Sequence, residues 1–272
     1  MTKGNNGPVI IVSLHKSGTN LVTKLLENMG YDCFGSGIKH SYEGIYQDLK
    51  ANKHLSMFDA YQEDPSSILA ESDKLYELTK YRLDNKKCLV LHSLNKETYE
   101  RIVSELDVEI IFNYRDPRAV LVSFVNYLSS KAKEDFTQVS GYIELSSILK
   151  RLPTMEQRLS FVITKIPNYI TGVFQSNAWL LDQPNILKIT YEDLVGDQGG
   201  GCEQKQHLTI KSIISVLQEE HRVDDLAESL YSTQSRTFQR GKANAWGGDF
   251  TPELTALFNN KYLPVLEQYG YE

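Results

Sequence analysis

Four short runs of consecutive apolar residues, rich in β-branched side chains, punctuate the chain: Pro8 to Leu14 (PVIIVSL), Cys88 to His92 (CLVLH), Val108 to Tyr114 (VEIIFNY) and Ile186 to Thr190 (ILKIT). Runs of this length without polar alternation predict strands buried on both faces, as in a parallel sheet. After the first run the period turns helical. Leu21, Val22, Leu25, Leu26 and Met29 fall on one face, and Gly30 closes the helix. After the third run the pattern predicts a helix from about Pro117 to Ser130, with the proline where a missing N–H costs nothing. Residues 131–185 read as helical, with breaks near Pro153 and Pro167. Gly199-Gly200-Gly201 reads as a flexible link before an amphipathic helix at about 207–219. The last helix has Thr251 as cap and Pro252 and Glu253 in its first turn, and runs to about Gln268. Residues 35–86 have weak periodicity and read as loops and short helices over a site. Strands alternating with helices predict an α/β fold, a single three-layer domain spanning 1–272 with a central parallel sheet flanked by helices. Residues 1–7 are polar and expected to be flexible.

Composition narrows the function without naming it. The chain has 272 residues, 41% hydrophobic and 24% charged, which is ordinary for a globular protein. Its net charge of −6 makes nucleic acid a poor partner, although a pocket can be locally positive within an acidic chain. The three cysteines, Cys33, Cys88 and Cys202, are scattered and form no CxxC pair, so neither a disulfide framework nor a structural zinc site is expected. No apolar run reaches membrane-spanning length, and Met1 to Gly7 lacks the apolar core of a signal peptide. The expectation is a cytoplasmic protein without a membrane partner; association as a homodimer is left open.

Three segments carry the chemistry. His15-Lys16-Ser17-Gly18-Thr19-Asn20 joins the first strand to its helix. A loop there aims backbone N–H groups and the positive helix end at one spot, which suits a phosphate. Lys16 adds charge, Gly18 lets the backbone approach a ligand, and Ser17, Thr19 and Asn20 add donors. Read blandly, it is a tight turn. It is not a GxxxxGK[ST] loop, because the lysine precedes the glycine. The second segment is Tyr114-Arg115-Asp116-Pro117-Arg118, with Ser123 eight residues after Arg115. Arg115 follows a strand, where open α/β sheets bind ligands, and an arginine with a hydroxyl can hold a second phosphate. The competing reading is an ion pair of Arg115 or Arg118 with Asp116. The third is Thr237 to Trp246, with Arg240, Gly241 and Lys242, which suits a loop folding over a nucleotide or else a solvated basic turn with Trp246 packed on the core.

Together and in this order the segments resemble the PAPS-dependent sulfotransferase family (PAPS is 3′-phosphoadenosine-5′-phosphosulfate). HKSGT is similar to the family's PKSGT loop, Arg115 with Ser123 to its 3′-phosphate motif, and QRGKANAW with Phe250-Thr251 to its RKGxxGDWK…FT stretch. Thr190-Tyr191-Glu192-Asp193-Leu194 is similar to a further family segment, and the resemblance runs from about residue 8 to about 262. It departs at His15, where the family has proline, at Leu21, where an aromatic is frequent, and at Gln239 and Asn244-Ala245. The resemblance implies a P-loop NTPase-like fold and an enzyme that moves a sulfuryl group from PAPS to a hydroxyl or amine of a small-molecule acceptor, leaving PAP and needing no metal. It implies Lys16, Ser17, Gly18, Thr19, Asn20, Arg115, Ser123, Tyr191, Arg240, Gly241 and Lys242 as nucleotide-binding residues. Lys16, His92 and Ser123 are the catalytic set.

In-line sulfuryl transfer makes demands similar to phosphoryl transfer, met by positioning and electrostatics. Lys16 would offset charge on the departing phosphate oxygen. Ser123 would contact the 3′-phosphate and hold Lys16 away from the bridge until acceptor binds. His92, in KCLVLHSL, is similar to a family histidine in a KxHLP context and is the expected base; its reference pKa of about 6.5 suits the task. Otherwise it is a core histidine with both nitrogens satisfied. His40, His54, Asp59 and Glu63 are weaker candidates. The GDQGGG stretch is similar to bacterial members that tailor secondary metabolites, so a natural product or toxin is the acceptor guess. A Mg-ATP-dependent small-molecule kinase and a non-catalytic PAPS- or PAP-binding protein remain alternatives.

Overall fold

A computed structural model describes residues 7–35, 83, 86–130, 140–230 and 243–271. Five strands form one parallel sheet in the order β2-β3-β1-β4-β5: β1 Val9–Ser13, β2 Asp32–Gly35, β3 Lys87–Leu91, β4 Glu109–Tyr114 and β5 Ile186–Thr190. The four apolar runs are β1, β3, β4 and β5. Their burial follows from the strand period. Ile10, Val12, Leu89, Leu91, Ile110 and Phe112 enter one core, while Val9, Ile11, Cys88, Val90 and Ile111 enter the other, because successive side chains point to opposite faces. Edge strand β2 escaped the sequence reading; at four residues (DCFG) it is too short to show a period.

Helices cover both faces. On one side lie α1 (Thr19–Asn28), α8 (Glu203–Val216) and α9 (Val223–Leu230), burying Leu25, Ile213 and Leu226. On the other lie α2 (Lys96–Glu105), α3 (Pro117–Ser130), α4 (Ser140–Arg151), α5 (Met155–Lys165), α6 (Asn168–Gln175) and α10 (Pro252–Gln268). A short helix α7 (Tyr191–Leu194) leaves β5 directly. The caps follow the sequence: Asn95, Thr154, Thr190 and Thr251 each accept a backbone N–H of their helix's first turn. Breaks near Pro153 and Pro167 divide 140–175 into α4, α5 and α6, as the prolines predict. The amphipathic helix expected at 207–219 is α8, which starts four residues earlier.

One expectation is corrected. The triglycine stretch is an ordered turn rather than a flexible link: Gly201 N–H donates to the Gly196 carbonyl at 2.7 Å, and the Gly199 carbonyl accepts the Ala243 N–H at 2.8 Å. Glycine is used at 201 because a Cβ would sit 2.6 Å from the Glu192 carbonyl oxygen. The expectations for residues 1–6, for the segment 36–82 and for Thr237 to Lys242 lie outside the described residues.

The winding order sets the site. From β1 the chain goes out to β2, returns to β3, then passes to β4 and β5 on the far side. The reversal falls at β1, and the segments leaving β1, β3 and β4 diverge at the sheet's carboxyl edge, where open α/β sheets form a ligand crevice. Register aligns them: Ser13 pairs with Asn113, and Val12 with Leu91. His15, His92 and Arg115 therefore all emerge at that edge.

Candidate active site

The β1–α1 loop turns sharply through two left-handed residues, Lys16 (φ 64°) and Gly18 (φ 84°). Gly18 caps α1, with no side-chain cap and no acidic residue in the first turn, so the N–H groups there are available to an anion. Asn113 braces the loop from β4, its Nδ2 donating to Ser13 Oγ and to the Ser17 carbonyl, each at 2.9 Å. Thr19 is buried, and its Oγ1 lies 2.9 Å from Ser13 Oγ, so its hydroxyl is turned into the protein rather than displayed to a ligand. Ser17 Oγ is buried without a hydrogen-bond partner among the described residues. An orphan hydroxyl inside a loop of backbone donors fits a ligand that brings acceptor oxygens.

Lys16 reaches along α3, its Nζ 4.1 Å from the centre of the Tyr127 ring, one turn beyond Ser123. The structure thus brings Lys16 to the helix face that carries Ser123.

His92 follows β3 and meets the same loop, with Nδ1 2.8 Å from the Ser13 carbonyl oxygen. A carbonyl only accepts, so Nδ1 carries the hydrogen and the lone pair is at Nε2. Burial, assisted by the Lys16 charge, holds the imidazole below its ordinary range, while the bond to Ser13 partly opposes that shift. Buried Asn177 steadies the turn, its side chain accepting the Leu94 N–H at 3.2 Å and donating to the His92 carbonyl at 3.4 Å. His15 stands edge-on to His92, ring centres 5.3 Å apart, with Nδ1 2.9 Å from the Tyr169 hydroxyl. Tyr169 in turn stacks on Phe124 at 3.8 Å. His15 is held well below the usual histidine range, chiefly by burial and then by His92 and Lys16.

On the other side of the loop, Tyr191 fills the space beside Gly18 so closely that a Cβ there would lie 2.3 Å from the Tyr191 ring. The Arg115 guanidinium lies 4.0 Å over the other part of this platform, the Tyr191 ring. Arg115 pairs with Glu192 rather than with Asp116; Nε is 3.9 Å from Oε1. Arg118 makes the Asp116 ion pair instead, with Nη2–Oδ2 at 2.8 Å, and is covered by Trp246 at 4.1 Å. Trp246 is thus packed, as its bland reading held. Leu21 lies against Tyr191, Val195 and Ala243, an apolar patch beside the loop.

The structure therefore brings together Lys16, Ser17, Gly18, Thr19, Asn20, His92, Arg115, Ser123 and Tyr191. Arg240, Gly241, Lys242, His40, His54, Asp59 and Glu63 lie outside the described residues, although Ala243, next after Lys242, is tied to Gly199. Asn113, Asn177, Glu192 and Tyr271 were not foreseen. Asn113 was visible as a lone amide ending an apolar strand; the others depend on long-range packing. Among the described residues no group of three or more His, Cys, Asp or Glu is placed to hold a metal ion, and no helix is long and apolar enough to cross a membrane.

Comparison with known proteins matches residues 6–270 to the sulfotransferase domain family. No curated protein sequence matches. Among solved structures, a mouse sulfotransferase complexed with PAP aligns over 98% of this chain and 89% of its own, at 14% identity and TM-score 0.51. Retinol dehydratase in complex with androsterone and the inactive cofactor PAP aligns over 98% and 82%, at 18% identity and TM-score 0.52. These likenesses concern the fold.

Proposed function

Because the chain belongs to the sulfotransferase domain family, we propose that it transfers the sulfuryl group of PAPS to a hydroxyl or amine of a small-molecule acceptor. The reading is carried by one convergence: a loop with an orphan buried hydroxyl, a clamped arginine and a histidine with its lone pair at Nε2 meet at the carboxyl edge of β3, β1 and β4.

Each group has a task its surroundings suit. The first-turn N–H groups of α1, Ser17 and Asn20 hold the 5′-phosphosulfate, with Thr19 contributing its backbone. Arg115 and Ser123 hold the 3′-phosphate, and Tyr191 lines the adenine side. Arg240, Gly241 and Lys242 close over the nucleotide. His92 Nε2 takes the acceptor's proton as the acceptor oxygen or nitrogen bonds to sulfur. The S–O bond to the 5′-phosphate breaks, its electron pair stays on the phosphate oxygen, and Lys16 offsets that charge. Ser123 holds Lys16 back until acceptor arrives, in keeping with the approach of Lys16 to the face of α3 that carries Ser123. The depressed basicity of His92 supports the assignment, since the ring is neutral and able to accept a proton at pH 7.

The acceptor is a soluble small molecule and the enzyme works in the cytoplasm. The scattered cysteines, two of them buried, suit a reducing compartment. Tailoring of a secondary metabolite is the use that the glycine-rich turn after Tyr191 favours. The test is calorimetric titration with adenosine-3′,5′-bisphosphate and, separately, ATP with Mg²⁺, followed by PAP release from PAPS over a panel of phenols, alcohols and amines. Tight binding of the bisphosphate with little ATP binding is expected. The reverse would move the protein to the kinase reading and remove His92 and Ser123 from these roles.

A further inference from the structure

Glu192 is ringed by donors, and their arrangement decides what Arg115 can do. Its Oε1 accepts the Asp116 N–H at 3.2 Å and lies 3.9 Å from Arg115 Nε. Its Oε2 accepts the Tyr271 hydroxyl at 2.9 Å. Both side chains of the pair are largely buried, Arg115 at 11% exposure and Glu192 at 19%. A carboxylate this close to a guanidinium ordinarily closes a two-bond fork on it. Here it does not: 3.9 Å exceeds hydrogen-bond length, and the second oxygen is turned to Tyr271.

Tyr271 is well fixed for this. Its N–H bonds the Leu266 carbonyl at 2.8 Å, while Gly270 N–H bonds Glu267, the paired reverse bonds that end a helix in a left-handed turn. The ring of Tyr271 stands edge-on to Tyr114, which also contacts Tyr269. The end of α10 is thereby joined through Glu192 to the arginine at the end of β4.

We propose that Tyr271 is a positioning residue for the nucleotide site: by occupying Oε2 of Glu192 it keeps that carboxylate from chelating Arg115, and so keeps the guanidinium fork available to the 3′-phosphate. This rests on the reading of Arg115 as a 3′-phosphate ligand. Without the Tyr271 hydroxyl, Glu192 turns its second oxygen onto Arg115 and competes with the phosphate.

The experiment compares the affinities of the full chain for adenosine-3′,5′-bisphosphate and adenosine-5′-monophosphate, whose ratio reads 3′-phosphate discrimination. Tyr271→Phe keeps the ring and removes the hydroxyl. It is expected to lower discrimination roughly tenfold, the scale of one hydrogen bond to a charged group, with monophosphate affinity unchanged. Adding Glu192→Gln removes the competing charge, so the double variant should recover discrimination. Arg115→Ala separates the two levels. If it retains discrimination, the 3′-phosphate reading fails. If it loses discrimination while Tyr271→Phe keeps it, or Tyr271→Phe weakens both ligands equally, or the double variant shows no recovery, the positioning role is overturned and the Arg115 reading stands.

Discussion

Gly18 offers the sharpest test of how the loop is built, because two separate costs meet there and a second glycine isolates one of them. Gly18 has φ +84°, and a Cβ would lie 2.3 Å and 2.9 Å from two Tyr191 ring carbons. Gly30 has φ +89°, and a Cβ there would meet nothing within 4 Å. Alanine at Gly30 therefore carries only the left-handed penalty, about 1–2 kcal/mol. Alanine at Gly18 carries that and a collision. Ordinary carbon contacts lie at about 3.5–4.0 Å, so the Tyr191 ring must retreat by more than about an ångström. It has little room, being buried against Val195 and Ala243 with Arg115 over its face. Overpacking of this sort costs about 1–3 kcal/mol, so Gly18→Ala should lose about 2–5 kcal/mol. Urea denaturation should show a lower midpoint for Gly18→Ala than for Gly30→Ala, at similar slope. Because Arg115 rides on Tyr191, calorimetry should also show weaker bisphosphate binding for Gly18→Ala alone. Equal destabilisation of the two variants, or native binding by Gly18→Ala, would refute the close packing of Tyr191 on the loop.

Four further outcomes are expected. His92→Gln should reduce turnover by about 10²–10⁴-fold while bisphosphate affinity holds, and near-normal turnover on the true acceptor would end its assignment as base; in the wild type the acid limb of kcat against pH should fall below the usual histidine range. Lys16→Ala should cost about 10²–10³ in turnover, and a loss confined to KM would point to ground-state binding only. Asn113→Ala leaves the Ser17 carbonyl short of a donor, so stability should fall by about 1–3 kcal/mol with weaker bisphosphate binding, whereas unchanged binding would free the loop from its brace. His15 and His92 are neutral in the fold, so the unfolded chain takes up protons first as pH drops through about 6.5. Stability is therefore lost from there down to the folded values, at up to about 1.4 kcal/mol per pH unit for each group; His15→Gln should flatten that slope in urea midpoints measured against pH, and an unaltered slope would contradict its burial as a neutral ring.

The parts of the fold that were legible in the sequence are those set by local periodicity and punctuation. The four apolar runs, the proline at the start of α3 and the Thr251-Pro252 start of α10 each act within a few residues, and each appears where the pattern puts it. Edge strand β2 has no local period to read, since its place comes from pairing with β3. The candidate site divides in the same way. His15 to Asn20, His92, Arg115 and Ser123 sit at strand ends or early in the helix that follows, so residue type and element order suffice to find them. Their partners are a different matter. Arg115 could have paired with Asp116, its sequence neighbour, but Asp116 caps α3 and holds Arg118, accepting both its backbone N–H and its guanidinium. That leaves Arg115 to Glu192, 77 positions on, and Glu192 to Tyr271, 79 further still. No local rule links these three. The winding of β4 beside β5 puts the first two on neighbouring strand ends, and α10, packed across β4, returns Tyr271 to them. The sequence thus displays the groups able to meet a ligand, while the contacts that hold them ready arise only when the sheet has assembled.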